Sequence, residues 1–436
     1  MKQKLAIIGT GIAGMCAAHF LNEHFDLTLF EKNDYIGGHT NTVYAKENDN
    51  QIPIDTGFMV FNKVTYPNLI SLFESLDVPI KKTDMSFSVQ YKPTGLEYSG
   101  SGFSGLFAQK RNYFNPVFLK MLLQIKRFNN QSVLDLESGR YDNYSLEAYI
   151  KERKYSKSFT EKYIIPMSSA IWSTPSNITL NFPFVTIVRF MKNHGMLGMN
   201  TQHQWYTIVG GSQTYKDKII TPFRDKIHTS SGVLSVTRKD NKLEVLTLDG
   251  KMFEFDKVII AAHGDEAHNM LKNPTKLEKK LLSKFKYQPN IATLHTDSSI
   301  MPKNKSVWSA WNYSIKMKEG SLAPSIIYYM NKLQQVSKNK DYFVSINDQG
   351  LIDPNKIIRE INYTHPIFTL DAIDAQEELH KLNDSGPIYF CGSYFKYGFH
   401  EDAYTSAVNL SKHIIQGLSQ SSDKKNYEND QKLVSI

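Results

Sequence analysis

Cysteine is scarce in this chain, and the scarcity excludes a good deal. Its 436 residues hold two, Cys16 and Cys391. No disulfide framework can hold the fold, and no CxxC pair is available for redox chemistry or zinc. Both lie in apolar segments, as small buried side chains do, and a reducing, cytoplasmic setting is expected. No apolar run approaches the roughly 18 residues of a membrane-spanning helix. HExxH is missing, because His400-Glu401 has no second histidine at helical spacing, so no metal is expected. The absence of GxSxG and of GKS or GKT removes the nucleophile-elbow and P-loop readings. Lysines are scattered, which suits a solvated face and not nucleic acid. The net charge of +8 is modest for this length; it fits solubility as well as attraction to anionic lipid or substrate. No internal repeat is present.

What is present begins at Leu5. LAIIGTGIAGMCAAHFLNEHFDLTLFE runs as a short apolar strand, the pattern Gly9-x-Gly11-x-x-Gly14, an Ala-rich helix, a second apolar strand and an acid. Each part suits a dinucleotide. Gly9 allows a tight turn, Gly11 lets backbone amides approach a pyrophosphate, and Gly14 lets the helix close on the sheet. The helix N-terminus offers free N–H groups and its positive dipole end to phosphate. Glu31 stands where a carboxylate accepts hydrogen bonds from a ribose diol. Lys2 and Lys4 before an apolar run imitate a signal peptide, but the glycine pattern occupies what would be its apolar core. Strand and helix are expected instead.

Further on come Tyr35-Ile36-Gly37-Gly38-His39-Thr40 and Pro53-Ile54-Asp55-Thr56-Gly57-Phe58. The paired glycines fit a second close approach to a cofactor, or a loop that needs φ > 0. A mostly helical insert is expected over about 103–203. It includes a helix at Pro116–Asn129 and another at Phe182–His194 capped by Asn181. Trp205–Val209 predicts a strand, Gly210-Gly211 a turn, and Ser212 the cap of the next helix. Val233–Lys239, Leu243–Leu248 and Met252–Phe255 predict a three-strand meander, and Lys257–Ala262 a buried parallel strand. Strands are expected near Ile291–Thr296, Ser306–Tyr313, Ser325–Met330 and Tyr342–Ile346. Pro387–Cys391 ends at Gly392, and Tyr397-Gly398-Phe399-His400-Glu401-Asp402 leads into a helix at Ala403–Gln416. The segment 419–436 is polar and expected to be disordered.

In this layout the chain resembles the flavin-containing amine oxidase superfamily over nearly its whole length. The resemblance rests on the glycine fingerprint with Glu31, the Gly37-Gly38 loop, the Gly210-Gly211 turn and the Gly392 segment. More narrowly, PIDTGFMVFN, TDMSF, AIWS, QWYTIVGGS, SAWNY and YGFHED are similar to bacterial flavoproteins often encoded beside cyclopropane-fatty-acyl-phospholipid synthases. The implied fold is α/β. It has a Rossmann-like FAD domain with the meander (about 1–60, 204–287 and 384–418) and a mixed α+β substrate domain (61–203 and 288–383).

The resemblance implies FAD, held by Gly9, Gly11, Ile12, Ala13, Gly14, Glu31 and Lys32, by Gly37, Gly38, His39, Thr40, Gly57 and Phe58, and by Val233, Ala261, Gly392, Ser393, Phe399 and His400. Ser393 departs from the Glu or Asp that many amine oxidases carry there. Neither cysteine matches the position of covalent attachment, so FAD is expected to be non-covalent. His400 and Tyr397 are the catalytic candidates; His400 either orients and exchanges protons or packs beside the ring. Trp172, Trp311 and Tyr313 either line a substrate pocket or belong to the core.

The expected activity is an FAD-dependent oxidoreductase acting on a lipid acyl chain, desaturating or isomerising it. An amine oxidase, a carotenoid-desaturase-like enzyme and a non-catalytic lipid-handling protein of this fold are the alternatives. Phe118, Met121, Leu122 and Ile125, with Lys110, Arg111, Lys120, Lys126 and Arg127 around them, form a stripe that either meets an anionic membrane peripherally or is buried with its basic residues solvated.

Overall fold

The computed structural model describes residues 2–198, 201–318, 320–348 and 350–433, and the chain divides into two compact units. The first comprises residues 1–40, 215–285 and 374–436; the second comprises 41–214 and 286–373.

A parallel five-stranded sheet centres the first unit. Its middle strand β1 (Lys4–Ile8) pairs with β2 (Asp26–Phe30) on one side and with Lys257–Ile260 on the other. Ile227–His228 lies beyond β2, and Ile388–Phe390 closes the opposite edge. Leu5, Ala6 and Ile7 are wholly buried, as a strand covered on both faces must be. Helix α1 (Ile12–Leu21) follows β1 directly. The strand order reverses at β1, and sheets of this kind bind ligands outside the carboxyl end of such a strand. The meander forms as Val233–Lys239, Lys242–Thr247 and Met252–Phe255, all antiparallel. Cys16 and Cys391 are buried and unbridged.

The last helix runs His400–Leu433. It therefore starts before the Ala403 expected from sequence, because Asp402 Oδ2 accepts the Phe399 N–H at 3.0 Å. That bond satisfies an orphan donor of the first turn and fixes the start.

The second unit is built on a seven-stranded sheet. Its order is Ile357–Ile367, Lys286–His295, Phe343–Ile346, Ser321–Tyr329, Trp311–Lys318, Phe87–Tyr91 and Leu96–Ser99. Ile357–Ile367 was not visible in the sequence. It is an edge strand whose Arg359, Glu360 and Pro366 break the apolar alternation, and only an edge tolerates them. The hairpin Thr42–Glu47 with Asn50–Asp55 was missed as well.

Two helix expectations need correction. Pro116–Glu137 runs past Asn129, because Asp135 inside it is buried against Arg153 and bonded by Tyr149 Oη at 2.8 Å. Phe184–Asn193 is capped at Pro183 and not Asn181. Ser212 directly precedes the helix Gln213–Ile220, as expected; its hydroxyl donates to Asp55 Oδ1 at 2.8 Å, while Thr42 Oγ1 accepts the Gln213 N–H at 3.1 Å.

Candidate cofactor and active site

The fingerprint glycines differ in what surrounds them. Gly9 has φ +99, and a Cβ there would lie 2.7 Å from the Ala261 carbonyl oxygen. A Cβ on Gly14 would fall 1.9 Å from the Gly9 carbonyl oxygen. These two glycines are required by the fold itself. At Gly11 a Cβ would meet nothing within 4 Å, so that opening serves something other than chain packing. Gly11 is the N-cap of α1 and offers no side-chain acceptor. The first amides of the helix, those of Ile12 and Ala13, therefore have no intrahelical partner and suit an anion.

Glu31 sits beyond the tip of β2, 4% exposed. Its Oε2 accepts Thr10 N at 3.1 Å and Thr10 Oγ1 at 2.6 Å. Its Oε1 accepts Asn33 N and Asn33 Nδ2, both at 2.9 Å. Four donors occupy about four lone-pair positions. The two backbone amides are fixed; the two side chains can turn away and leave room for a vicinal diol. Lys32 Nζ is paired with Glu266 Oε1 at 2.5 Å. Val233 opens the meander two residues after Ser231, whose N–H donates to the Glu31 carbonyl at 2.7 Å.

Gly37 and Gly38 have φ +126 and +59, so the loop needs glycine for its conformation. It also makes the close approach: a Cβ on Gly38 would lie 3.4 Å from Gly11 Cα. After His39 comes Thr40, which joins two distant parts of the first unit. Its Oγ1 meets Tyr215 Oη in a short hydrogen bond and His400 Nε2 at 3.2 Å. Burial pushes the His400 imidazole down to about 3, so the ring is neutral at physiological pH. Phe399 caps the helix that His400 begins. Burial likewise pushes the Asp402 carboxyl up to about 7, opposed by the Phe399 amide.

Gly392 N donates to Ser406 Oγ at 2.9 Å. Ser393 O accepts the Gly398 N–H at 3.1 Å. The Tyr397 ring lies under Lys396 Nζ, 5.7 Å from its centroid.

Thus fingerprint, acid, glycine loop, Ala261 and the 392–400 segment all belong to the first unit. Gly57 and Phe58 lie in the second, where Phe58 stacks on Phe61. Trp172, Trp311 and Tyr313 are also in the second unit. Trp172 packs with Phe182, Phe190 and Phe368, Tyr313 is fully buried, and Trp311 stacks on Tyr328. Thr10, Asn33, Tyr215 and Asp402 were not singled out in the sequence. Only Thr10, inside the glycine pattern, carried a local signal. Among the described residues no cluster of metal-binding side chains occurs, and no helix is long and apolar enough to cross a membrane.

The residues present fit a flavin dinucleotide: an open helix N-terminus, a diol-facing carboxylate and a second glycine loop against the first. The sequence profile of the flavin containing amine oxidoreductases matches residues 12–324. The chain belongs to that family. As a member it is an FAD-dependent oxidoreductase, and bound FAD supplies the hydride acceptor. No curated protein matches it by sequence.

Solved structures share the family fold across about 95% of the chain. A putrescine oxidase variant is 13% identical, with 95% of this chain and 99% of that one covered, at TM-score 0.65. A CLA-producing fatty acid isomerase from P. acnes is 12% identical, covering 94% and 98%, at TM-score 0.64. Cyclohexylamine oxidase from Brevibacterium oxydans IH-35A is 14% identical, covering 95% and 100%, at TM-score 0.63.

Proposed function

We propose that this flavoenzyme acts on a lipid acyl chain, desaturating or isomerising it by removing or relocating hydride. The observation that carries the reading is the state of the buried acids in the second unit. Among its described residues four carboxylates are buried, Asp55, Glu97, Asp135 and Asp297. Each is already engaged by internal donors. Asp55 takes Thr42, Ser212 and Gln334. Glu97 takes Gln90 and the amides of Lys303 and Asn304. Asp135 takes Arg153 and Tyr149, and Asp297 takes Lys356 and the amides of Ser299 and Asp353. A cationic amine would have to displace these donors, and an acid already carrying them gains little from the exchange. An acyl chain needs no charged anchor, because each buried methylene contributes about 0.8 kcal/mol.

His400 suits this chemistry as a neutral group whose orientation Thr40 sets, with Tyr397 beside it. The likeness of PIDTGFMVFN and YGFHED to flavoproteins encoded beside cyclopropane-fatty-acyl-phospholipid synthases agrees with a lipid substrate, as does the fatty acid isomerase among the solved relatives. FAD is held non-covalently in this reading. Cys16 and Cys391 are fully buried, and burial pushes both thiols up, Cys391 to about 12. The amine-oxidase reading has the family match and putrescine oxidase in its favour.

Anaerobic bleaching of the flavin decides between them. Unsaturated or methyl-branched phospholipids should bleach it while primary and secondary amines do not. Bleaching by amines alone ends the lipid reading.

A further inference from the structure

The helical part of the second unit carries an apolar surface that its own fold leaves uncovered. Phe114 is 90% exposed, Leu123 69% and Phe103 66%. Scattered apolar side chains are ordinary on a surface, but Phe103 here belongs to a braced aromatic group, and Phe114 stands next to it in sequence after Tyr113. Phe103 packs on Phe107 and Tyr113 at ring-centroid distances of 4.8 and 5.9 Å. Phe107 stacks on Tyr113 and meets Phe118 edge-on at 5.9 Å, and Phe118 belongs to the core. The group is therefore rooted inside and open outside. Phe114 follows Tyr113 and precedes Asn115, whose side chain caps the helix Pro116–Glu137. On that helix Leu119 and Leu123 share one exposed face, four residues apart.

This face is not the stripe the sequence suggested. Phe118 and Met121 point inward and are almost fully buried.

The charge around the exposed face has one sign. From Ser101 to Leu134 the sequence has no aspartate or glutamate, while Lys110, Arg111, Lys120 and Lys126 are exposed. Asn304 Nδ2 donates to the Ala108 carbonyl at 3.2 Å, which brings the exposed Lys303 and Lys305 to the same place. The nearby Glu97 is buried and turned to the Lys303 and Asn304 amides.

Exposed phenylalanines and leucines flanked by cations match an interface of acyl chains beneath anionic headgroups. A second copy fits worse, because a two-fold contact would set these lysines against their own equivalents.

We propose that this surface seats the protein on an anionic phospholipid bilayer. Phe103, Phe114 and Leu123 enter the acyl layer, while Lys110, Lys120 and Lys126 meet the headgroups. The seating does not depend on what the flavin oxidises, and its test uses no turnover.

The full chain with FAD is sedimented with phosphatidylglycerol–phosphatidylcholine vesicles and with pure phosphatidylcholine vesicles, at low and high salt. Binding to the anionic vesicles alone, released by salt, is the expected result. The triple variant Phe103→Ser, Leu123→Ser, Phe114→Ser should bind about tenfold more weakly or worse. Lys110→Gln, Lys120→Gln and Lys126→Gln should each cost about fivefold. An unchanged melting temperature shows that the triple variant is folded; if it falls, Phe114→Ser alone carries the test. No binding at low salt overturns the proposal, and so does full binding by a folded triple variant. Self-association that the triple variant abolishes, without vesicle binding, assigns the face to a second copy and also overturns it. Binding to polyglutamate as tight as to vesicles, and unaffected by the triple variant, overturns it in favour of an acidic protein partner.

Discussion

Asp55 and Gln334 hold each other twice across 279 positions of the chain. The Asp55 amide donates to Gln334 Oε1 at 2.9 Å, and Gln334 Nε2 donates to Asp55 Oδ2 at 2.6 Å. Thr42 Oγ1 and the Ser212 amide and hydroxyl fill the rest of the carboxylate at 2.6 to 3.0 Å. The Ser212 bonds to Asp55 tie the PIDTG hairpin to the turn at Gly210-Gly211. A Cβ on Gly211 would meet Thr42 Cγ2 at 2.6 Å.

Burial pushes the Asp55 carboxyl up despite these bonds. Gln334→Leu, which takes the acceptor from the Asp55 amide and leaves Oδ2 with the Ser212 amide alone, should cost about 2–3 kcal/mol in urea unfolding. A raised acid stabilises the fold least when ionised, so the loss should grow as pH rises through its native pKa. A variant as stable as wild type at high pH removes Asp55 as a structural hub.

The three fingerprint glycines should fail differently. Gly14→Ala puts a Cβ into the Gly9 carbonyl and should abolish soluble expression or lower the melting temperature sharply. A Cβ added at Gly11 meets no protein atom within 4 Å, so the Gly11→Val apoprotein should fold with near wild-type melting and yet retain no FAD. Flavin absorbance of the purified protein, released by denaturation in the wild type, reads the result. A yellow Gly11→Val protein contradicts the assignment.

His400→Ala should keep FAD but slow flavin reduction by substrate, and Thr40→Val should reproduce part of the defect by removing one hydrogen bond that orients the imidazole. The His400 pKa is lowered to about 3 by burial. The ring therefore charges only under strongly acid conditions, and no limb of the rate profile between about pH 5 and 9 should belong to it. A limb near neutrality that His400→Ala alone removes would show that the ring titrates during turnover.

Asp402 should make stability fall with pH. Its carboxyl is raised to about 7 in the fold by burial, against about 3.9 unfolded. Between those values the native state holds more protons than the unfolded state, so stability declines from about pH 4 to 7 and then levels off. Asp402→Asn keeps an acceptor for the Phe399 amide and removes the charge. It should gain about 2–4 kcal/mol at pH 8 and nothing at pH 4 in denaturant titrations of the apoprotein. Equal effects at both pH values would sink this account.

What the sequence determined by itself was local. The turn after β1 had to be Gly9-Thr10-Gly11, the helix after it had to close on the sheet at Gly14, and Glu31 had to follow β2. These follow from backbone sterics and apolar patterning within a few residues of one another. The meander and its turns were legible for the same reason.

Tertiary structure decided everything that depends on partners distant in the chain. Thr40 looks like any loop threonine until Tyr215 and His400 arrive at its hydroxyl. Asp135 looks helix-breaking until Arg153 and Tyr149 pair with it, and Ile357–Ile367 has no strand alternation until its edge position excuses the charges. Which face of Pro116–Glu137 is open was fixed likewise, because period alone marks an apolar stripe and not which side the rest of the chain covers. Phe118 went inward and Leu123 stayed out.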